Sequence, residues 1–270
     1  MIKKILILTL VCVSLFAYAD SDMDGVPNYL DKCPNTPITD LVGPNGCPIK
    51  SLSKKSVNHY SVTVGANFGQ SNYQLSPRAN TYSSSLQAGF YHKAFSMQFS
   101  TLYYYTKSTN YNSSGMGDTT LSGYYSFYPV PDLTIQTGAG VILPTYQSSL
   151  HNNKTDYLGS IFATYKPNKY SFFGGYTYTI INDTNVDTIT YQNTNAFTAG
   201  IGYNFSSKFY TSLSYYEANS VYSGVQNLKN ISLYMFYSIN KHWFTNFTFA
   251  AGLNRATSQN YSSIKLGYYF

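Results

Sequence analysis

The sequence predicts an all-β protein whose main domain is a transmembrane antiparallel β-barrel of about twelve strands. Apolar and small or polar residues alternate over stretches of about 9 to 11 residues, which is the length of a tilted membrane strand. Short and long polar connections alternate between these stretches, as they do in membrane barrels. The composition also favours a membrane barrel, because the chain has 30 Tyr and 17 Phe but only 10% charged residues, whereas soluble domains carry about 25% charged residues.

The carboxy-terminal stretch shows the alternation most clearly. Because successive strand side chains point to opposite faces, this stretch has one apolar face and one small or polar face. A strand of a soluble β-sandwich alternates in the same way, so the other stretches must decide the fold. The apolar face carries Ser262, Ile264, Leu266, Tyr268 and Phe270, and the other face carries Ser263, Lys265, Gly267 and Tyr269.

The preceding stretches repeat this pattern with sorted connections between them. An even number of strands places both ends of the barrel on the same side. A closed sheet has no exposed edge and pairs every backbone group, which lipid requires. The predicted strands centre on 60–68, 82–90, 95–105, 119–127, 133–143, 157–165, 170–180, 195–205, 209–217, 228–239, 243–253 and 261–270. The long connections include 107–118, 145–156, 182–193 and 218–227.

Residues 1–19 have the pattern of a secretory signal peptide, with two early lysines, an apolar run and Ala17-Tyr18-Ala19 as the cleavage site. The apolar run is shorter than the roughly 20 residues that a membrane-spanning helix needs. The mature chain is therefore expected to begin at Asp20. Export together with a β-barrel predicts the outer membrane of a Gram-negative bacterium, with outer-membrane lipid around the barrel and the amino-terminal segment in the periplasm.

Two cysteines, Cys33 and Cys47, remain after cleavage at this site. An even pair in an exported protein predicts one disulfide, which is worth about 3 kcal/mol for a loop of this length. Five of the ten prolines lie before residue 56, so the composition changes there. We expect a disulfide-clipped segment at 20–50, a linker at 51–56 and the barrel at 57–270.

Residues 20–31 match the twelve-residue calcium loop. Acidic oxygens stand at positions 1, 3 and 5, Gly25 allows the sharp turn at position 6, and a carboxylate closes the loop at position 12. Calcium prefers such oxygen ligands. The alternative is an acidic spacer without a metal. The predicted ligands are Asp20, Asp22, Asp24, the carbonyl of Val26, and Asp31.

The continuation Lys32-Cys33-Pro34-Asn35-Thr36-Pro37 makes this segment resemble a thrombospondin type 3 repeat over residues 20–50. The resemblance implies calcium as the cofactor and the same five ligands. Asn28 departs from the family pattern, which usually has Asp at this position.

The non-lipid face of the predicted strands is polar, rich in hydroxyl groups and nearly neutral. Such a lumen favours small neutral or weakly polar solutes over strong ion selectivity. A lumen closed by its own side chains is the alternative. The net charge of +6 is spread along the chain, which argues against a nucleic-acid partner. The predicted inward residues are His59, Ser61, Thr63, Asn67, Ser83, Ser85, Gln87, Thr134, Gln136, Gly138, Ser212, Ser214, Tyr216, Asn230, Ser232, Tyr234 and Lys265.

An enzymatic alternative rests on His59 and Ser61, which have the spacing of the catalytic pair in outer-membrane phospholipases. Catalysis also needs an orienting third group. None can be assigned from the sequence, so we predict no enzyme and no catalytic residue.

The barrel region carries Met116-Gly117-Asp118-Thr-Thr-Leu121, then Leu143-Pro144-Thr145 and Thr155-Asp156-Tyr157. Over residues 116–158 it resembles the porins grouped with the meta-pathway of phenol degradation. The resemblance implies passage of small hydrophobic solutes. The likeness to outer-membrane proteins also implies that the barrel assembly machinery recognises the last strand. The predicted function is thus a porin-like channel, and a non-conducting structural or adhesive barrel is the alternative.

Overall fold

The computed structural model describes residues 20–22, 26–34, 36, 42–47, 58–71, 78–109, 111–146, 154–186 and 189–270. The predicted signal peptide lies outside these ranges. The described chain is all-β and has thirteen strands. They are β1 Asn58–Ser71, β2 Ala79–His92, β3 Phe95–Ser108, β4 Asn112–Met116, β5 Thr119–Val130, β6 Leu133–Leu143, β7 Asp156–Tyr165, β8 Tyr170–Ile180, β9 Thr194–Ser206, β10 Phe209–Ala218, β11 Leu228–Ser238, β12 Trp243–Gly252 and β13 Asn260–Tyr269.

All strands except β4 form one closed antiparallel ring of twelve, as the sequence predicts. Closure occurs where the first and last strands pair, with Val64 of β1 opposite Leu266 of β13. On its other side β1 pairs with β2, where Val64 lies opposite Leu86. Because every strand of the ring has two neighbours, the barrel has no open edge.

Strand β4 is a difference from the prediction, which treated residues 107–118 as a long loop. Here β3 continues to Ser108 and the chain returns as β4, with Tyr103 opposite Met116 and Lys107 opposite Asn112. The hairpin extends the barrel at the long-loop end. Its return strand, Asn-Ser-Ser-Gly-Met, has no apolar face, so alternation gives no signal for it.

The outward face is apolar, as predicted. Val64, Ile161 and Ile264 of the ring are each about half exposed, which suits contact with hydrocarbon. Aromatic side chains near the strand ends also point outward and are exposed, among them Tyr103, Tyr125, Tyr165, Tyr170, Tyr237 and Trp243. Rings at this level fit the interfacial girdles of membrane barrels.

Three tight turns at one end of the barrel contain a residue with positive φ: Lys93 at 52°, Asp132 at 63° and Asn168 at 57°. Asp and Asn accept this left-handed conformation more readily than most residues. The amino terminus of the ring and the carboxyl terminus of the chain lie at this same end, which we call the short-turn mouth. Within the described ranges, no helix is long and apolar enough to cross a membrane.

Candidate functional site

The residues predicted to face the lumen do face inward. One hydroxyl and amide network joins β1, β2 and β13 around Asn67. The Oδ1 atom of Asn67 accepts hydrogen bonds from the hydroxyls of Ser263 at 2.7 Å and Tyr261 at 3.1 Å, and its Nδ2 donates to Ser83 Oγ at 3.1 Å. This side of the lumen is a wall of short polar side chains, which we call the polar wall.

The polar wall also holds Lys265, the only Lys or Arg that points inward from a strand of the ring. Its Nζ donates to Gln87 Oε1 at 3.2 Å. Across the ladder lies Asn246, which is 1% exposed and whose side-chain amide atoms have no hydrogen-bond partner in the described structure. Lys265 is 4% exposed, so this part of the wall holds a buried ammonium beside a buried amide whose hydrogen bonds are unmade.

Along β5 to β10 the lumen carries aromatic rings built over glycines, and we call this lining the aromatic wall. The Phe162 ring covers Gly175 on the adjacent strand, and the Phe173 ring covers Gly200, so that a Cβ at either glycine would overlap the ring. Two further pairs on these strands follow the same rule, Tyr124 over Gly138 and Tyr210 over Gly202, and Phe244 over Gly267 repeats it on β12 and β13 beside the polar wall. Each ring packs against a glycine of an adjacent strand, and inward hydroxyls such as those of Ser126, Ser171 and Ser212 lie on the same strands.

The two residues of the enzymatic alternative both face inward at the short-turn mouth. The His59 ring stacks on Tyr269, with ring centroids 5.6 Å apart. Ser61 forms a hydrogen bond with Tyr91. Both side chains therefore have packing partners in the barrel wall, and the geometry provides no further support for catalysis.

Tyrosines narrow the long-loop mouth. Tyr146, in the connection after β6, packs on Tyr104 of β3 with centroids 5.7 Å apart, and its backbone N donates to Asp118 Oδ1 at 3.1 Å. Tyr222, in the connection after β10, packs on Tyr191 at 5.4 Å. Burial raises the pKa of the Tyr146 hydroxyl, and Tyr104 and Tyr222 add to this effect. These connections fold inward over the opening.

The amino-terminal segment lies across the short-turn mouth, which the sequence did not predict. Tyr29 is 4% exposed and packs into an aromatic cluster with Phe236, Phe244 and Tyr269 of three adjacent strands. The centroids of the Tyr29 and Phe236 rings are 4.5 Å apart. Burial raises the pKa of Tyr29 to about 12, and its hydroxyl bonds to Ser238.

A second contact fixes the segment at the far side of the ring. The hydroxyl of Thr134 on β6 donates to the backbone carbonyl of Ser21 at 2.8 Å. Between the segment and the wall remains a cleft of about 310 Å³, lined by Asp22, Asp31, Lys166 and Asn204 among others. Since β6 and the strands of the aromatic cluster are well separated around the ring, the segment bridges the opening.

The segment is held together by the disulfide and by its carboxylates. Cys33 and Cys47 are bonded, as predicted. Asp22 Oδ2 accepts from the backbone N of Thr36 at 2.9 Å, and Asp31 Oδ1 accepts from the backbone N of Cys33 at 2.8 Å. Gly46 has a φ of 72° and lies against the Asp31 carboxyl, where a Cβ would overlap it. Only glycine satisfies both requirements.

The carboxyls of the segment lie near Lys166, which is in the turn between β7 and β8. The Nζ of Lys166 is buried and has no hydrogen-bond partner in the described structure. Burial lowers its pKa to about 8, although Asp20, Asp22 and Asp31 attract the ammonium. Burial and the neighbouring Asp22 raise the pKa of Asp31 to about 7, while Lys166 acts in the opposite direction. The carboxyls of the segment are thus crowded, and Lys166 is the barrel residue that attracts them.

Of the predicted calcium ligands, Asp20, Asp22, Val26 and Asp31 are described and Asp24 lies outside the described residues. Asp22 and Asp31 are close enough to share a hydrogen bond. Across the described ranges, no three His, Cys, Asp or Glu side chains are grouped as a metal site. The calcium loop therefore stays a prediction.

The functional residues that sequence reasoning missed are Tyr29 and Lys166. Tyr29-Leu30 is an apolar pair in a polar, proline-rich segment. This pair is the sequence feature that could have indicated a docking contact. Lys166 looks like any turn lysine, so its role depends on the fold.

No protein-family model matches the chain, and no curated protein sequence matches it. Solved structures match in fold. The COG4313 outer membrane channel from Pseudomonas putida F1 aligns with a TM-score of 0.62 at 9% identity, over 83% of this chain and 100% of that chain.

The KdgM porin aligns with a TM-score of 0.53 at 10% identity, over 77% of this chain and 98% of that chain. The translocator domain of the autotransporter NalP from Neisseria meningitidis aligns with a TM-score of 0.50 at 10% identity, over 80% of this chain and 89% of that chain. At these identities the likeness concerns the fold alone. The chain has the fold of outer-membrane β-barrels.

Proposed function

We propose that the protein is an outer-membrane channel for passive passage of small neutral, weakly polar or hydrophobic solutes. The observation that carries this proposal is the mixed lining of the lumen, in which aromatic rings and polar side chains both face inward. The polar wall offers hydroxyls and amides, whereas the aromatic wall offers ring faces over glycines. A solute with one polar and one apolar side is complementary to both. The fold likeness to a channel and a porin supports the same function.

The orientation follows from the connections. In outer-membrane barrels the short turns face the periplasm and the long loops face outward. The segment at the short-turn mouth then lies on the periplasmic side. The last strand, which ends at Phe270, would be the part that the barrel assembly machinery recognises.

Liposome swelling tests passive uptake directly. Vesicles that contain the purified protein should swell in small neutral solutes and respond less as solute size increases. Empty vesicles are the control. Swelling equal to that of empty vesicles, for every solute and also for a variant with an undocked segment, would contradict the channel.

Calcium binding by the segment is the second part of the proposal. Two of the described ligands support the proposal, because Asp22 and Asp31 place carboxyl oxygens side by side and repel each other when both are ionised. A cation with oxygen ligands relieves that repulsion. The residues that would hold calcium are Asp20, Asp22, Asp24, the carbonyl of Val26, and Asp31.

Calorimetric titration with CaCl₂ tests this site. Asp22→Ala and Asp24→Ala should remove the binding heat, because each deletes a ligand, and Asp183→Ala in a long loop should leave it unchanged. Heats that are the same in wild type and in both ligand variants would refute the calcium site.

The second candidate function is a structural or adhesive barrel that does not conduct. It is favoured by the two covered mouths, the segment at one end and Tyr104 with Tyr146 at the other. A closed barrel gives no current steps in a planar bilayer even after the segment is released, and this result separates it from a channel.

A further inference from the structure

The segment is docked by two different kinds of interaction. Tyr29 supplies apolar contact, and its neighbours in the cluster belong to β11, β12 and β13. Asp22 and Asp31 line the same cleft as Lys166, and together with Asp20 they attract its ammonium through the electrostatic field and not through a hydrogen bond. The same three carboxyls are three of the proposed calcium ligands. Docking and calcium binding therefore draw on one set of groups.

Lys166 depends on the segment for its counter-charges. Its backbone N donates to the Asp132 carbonyl at 2.8 Å, which fixes the turn, and its Nζ is buried. The charges that attract this ammonium are Asp20, Asp22 and Asp31, all of them in the segment. A buried ammonium that loses its counter-charges becomes costly.

We infer that calcium binding to the segment and docking of the segment in the short-turn mouth oppose each other, with Lys166 as the coupling residue. This inference rests on the proposed channel and calcium site. When calcium is absent, Lys166 is the cation that faces the carboxyls and the mouth is covered. When calcium neutralises the carboxyls, Lys166 is left buried beside a second positive charge, and the docked state loses stability.

Linkage gives the inference a measurable form. If calcium weakens docking by some factor, docking must weaken calcium binding by the same factor. We expect about tenfold, which lies in the common range of coupling between sites. Removal of the Lys166 charge should abolish the coupling, and the calcium affinity should then increase by up to about the same factor.

Docking can be measured without conduction by cross-linking. The pair Ser21→Cys and Thr134→Cys places thiols where the segment already touches β6, and Cys33 and Cys47 are protected in their disulfide. A short bismaleimide added to the detergent-solubilised full-length protein reports the docked fraction through its cross-linking rate. Rates are compared in EGTA, CaCl₂ and MgCl₂, and calcium binding is measured by calorimetry on the same samples.

The lysine variants are made in this two-cysteine background. Lys166→Gln should cross-link more slowly than the parent protein in EGTA and should not respond to calcium. Lys166→Arg keeps the charge and should retain the calcium response. Lys241→Gln, in another short turn, is the matched control and should behave like the parent.

Slower cross-linking in calcium, lost in Lys166→Gln and kept in Lys166→Arg, supports the inference. If calcium produces a binding heat but the cross-linking rate is unchanged or faster, the inference is overturned and the calcium site stands. The same calcium response in Lys166→Gln overturns the role of that lysine. Absence of both heat and rate change refutes the calcium site together with the inference, whereas the channel itself is tested by swelling.

Discussion

Replacement of Tyr29 by alanine should release the segment from the short-turn mouth. The Tyr29 side chain is 4% exposed and its ring packs on Phe236 at 4.5 Å. Truncation of a buried aromatic ring to Ala costs about 3 to 5 kcal/mol. At about 1.4 kcal/mol per tenfold change, the docking constant should fall by about 10²- to 4 × 10³-fold.

The cross-linking rate of the Ser21→Cys, Thr134→Cys pair measures this change, and Tyr29→Phe is the graded control. Phenylalanine keeps the ring and loses only the hydrogen bond to Ser238, so docking should weaken by about 1 kcal/mol, or roughly fivefold. Folding of the barrel, followed by heat-modifiable mobility in gels, should be unchanged in both variants, because Tyr29 precedes the first strand. If Tyr29→Ala cross-links at the same rate as the two-cysteine parent protein that keeps Tyr29, the ring has no docking role.

Three further predictions concern other parts of the chain. Gly175→Val should lower the free energy of unfolding, measured by urea titration, by about 1 to 3 kcal/mol, because the new side chain overlaps Phe162. Gly159 points outward into open space, so Gly159→Val should change the free energy of unfolding by less than about 0.5 kcal/mol in the same titration. Phe270→Asp should reduce the amount of heat-modifiable barrel in the membrane, since it places a charge at an exposed apolar strand end, and normal assembly would contradict this. Replacement of both Cys33 and Cys47 by Ser, which leaves no third thiol for the bismaleimide, should destabilise the segment by about 3 kcal/mol and slow cross-linking, while the unfolding midpoint of the barrel stays the same.

The sequence was sufficient for the barrel because lipid and lumen impose opposite demands on alternate residues. Ile264 and Lys265 are neighbours in the chain, yet one is half exposed outward and the other is buried inward. The same contrast recurs along β1, β5 and β11, so the faces of these strands could be predicted without the structure. It fails at β4, where both faces are polar and no alternation remains.

The aromatic wall could not be predicted because it depends on register. Phe162 and Gly175 belong to different strands, and only the pairing of β7 with β8 brings the ring over the glycine. The sequence alone shows the glycines and the rings, but it does not show which ring lies opposite which glycine.

The docked segment shows a different limit. Its motif predicts a calcium loop and its cysteines predict a disulfide, and the disulfide is present. The position of the segment depends on Tyr29 and Lys166, and neither residue belongs to a periodic pattern or a spaced motif. Such contacts join distant parts of the chain, and a single sequence carries almost no record of them.

Planar-bilayer recording of wild type and Tyr29→Ala, both in EGTA, tests the proposed channel most directly. Wild type should show rare or small openings, because the segment covers the short-turn mouth, and Tyr29→Ala should show frequent discrete steps of larger conductance. If both proteins show no steps above the bare bilayer, the barrel is not a channel. If both conduct equally well, the segment does not close it.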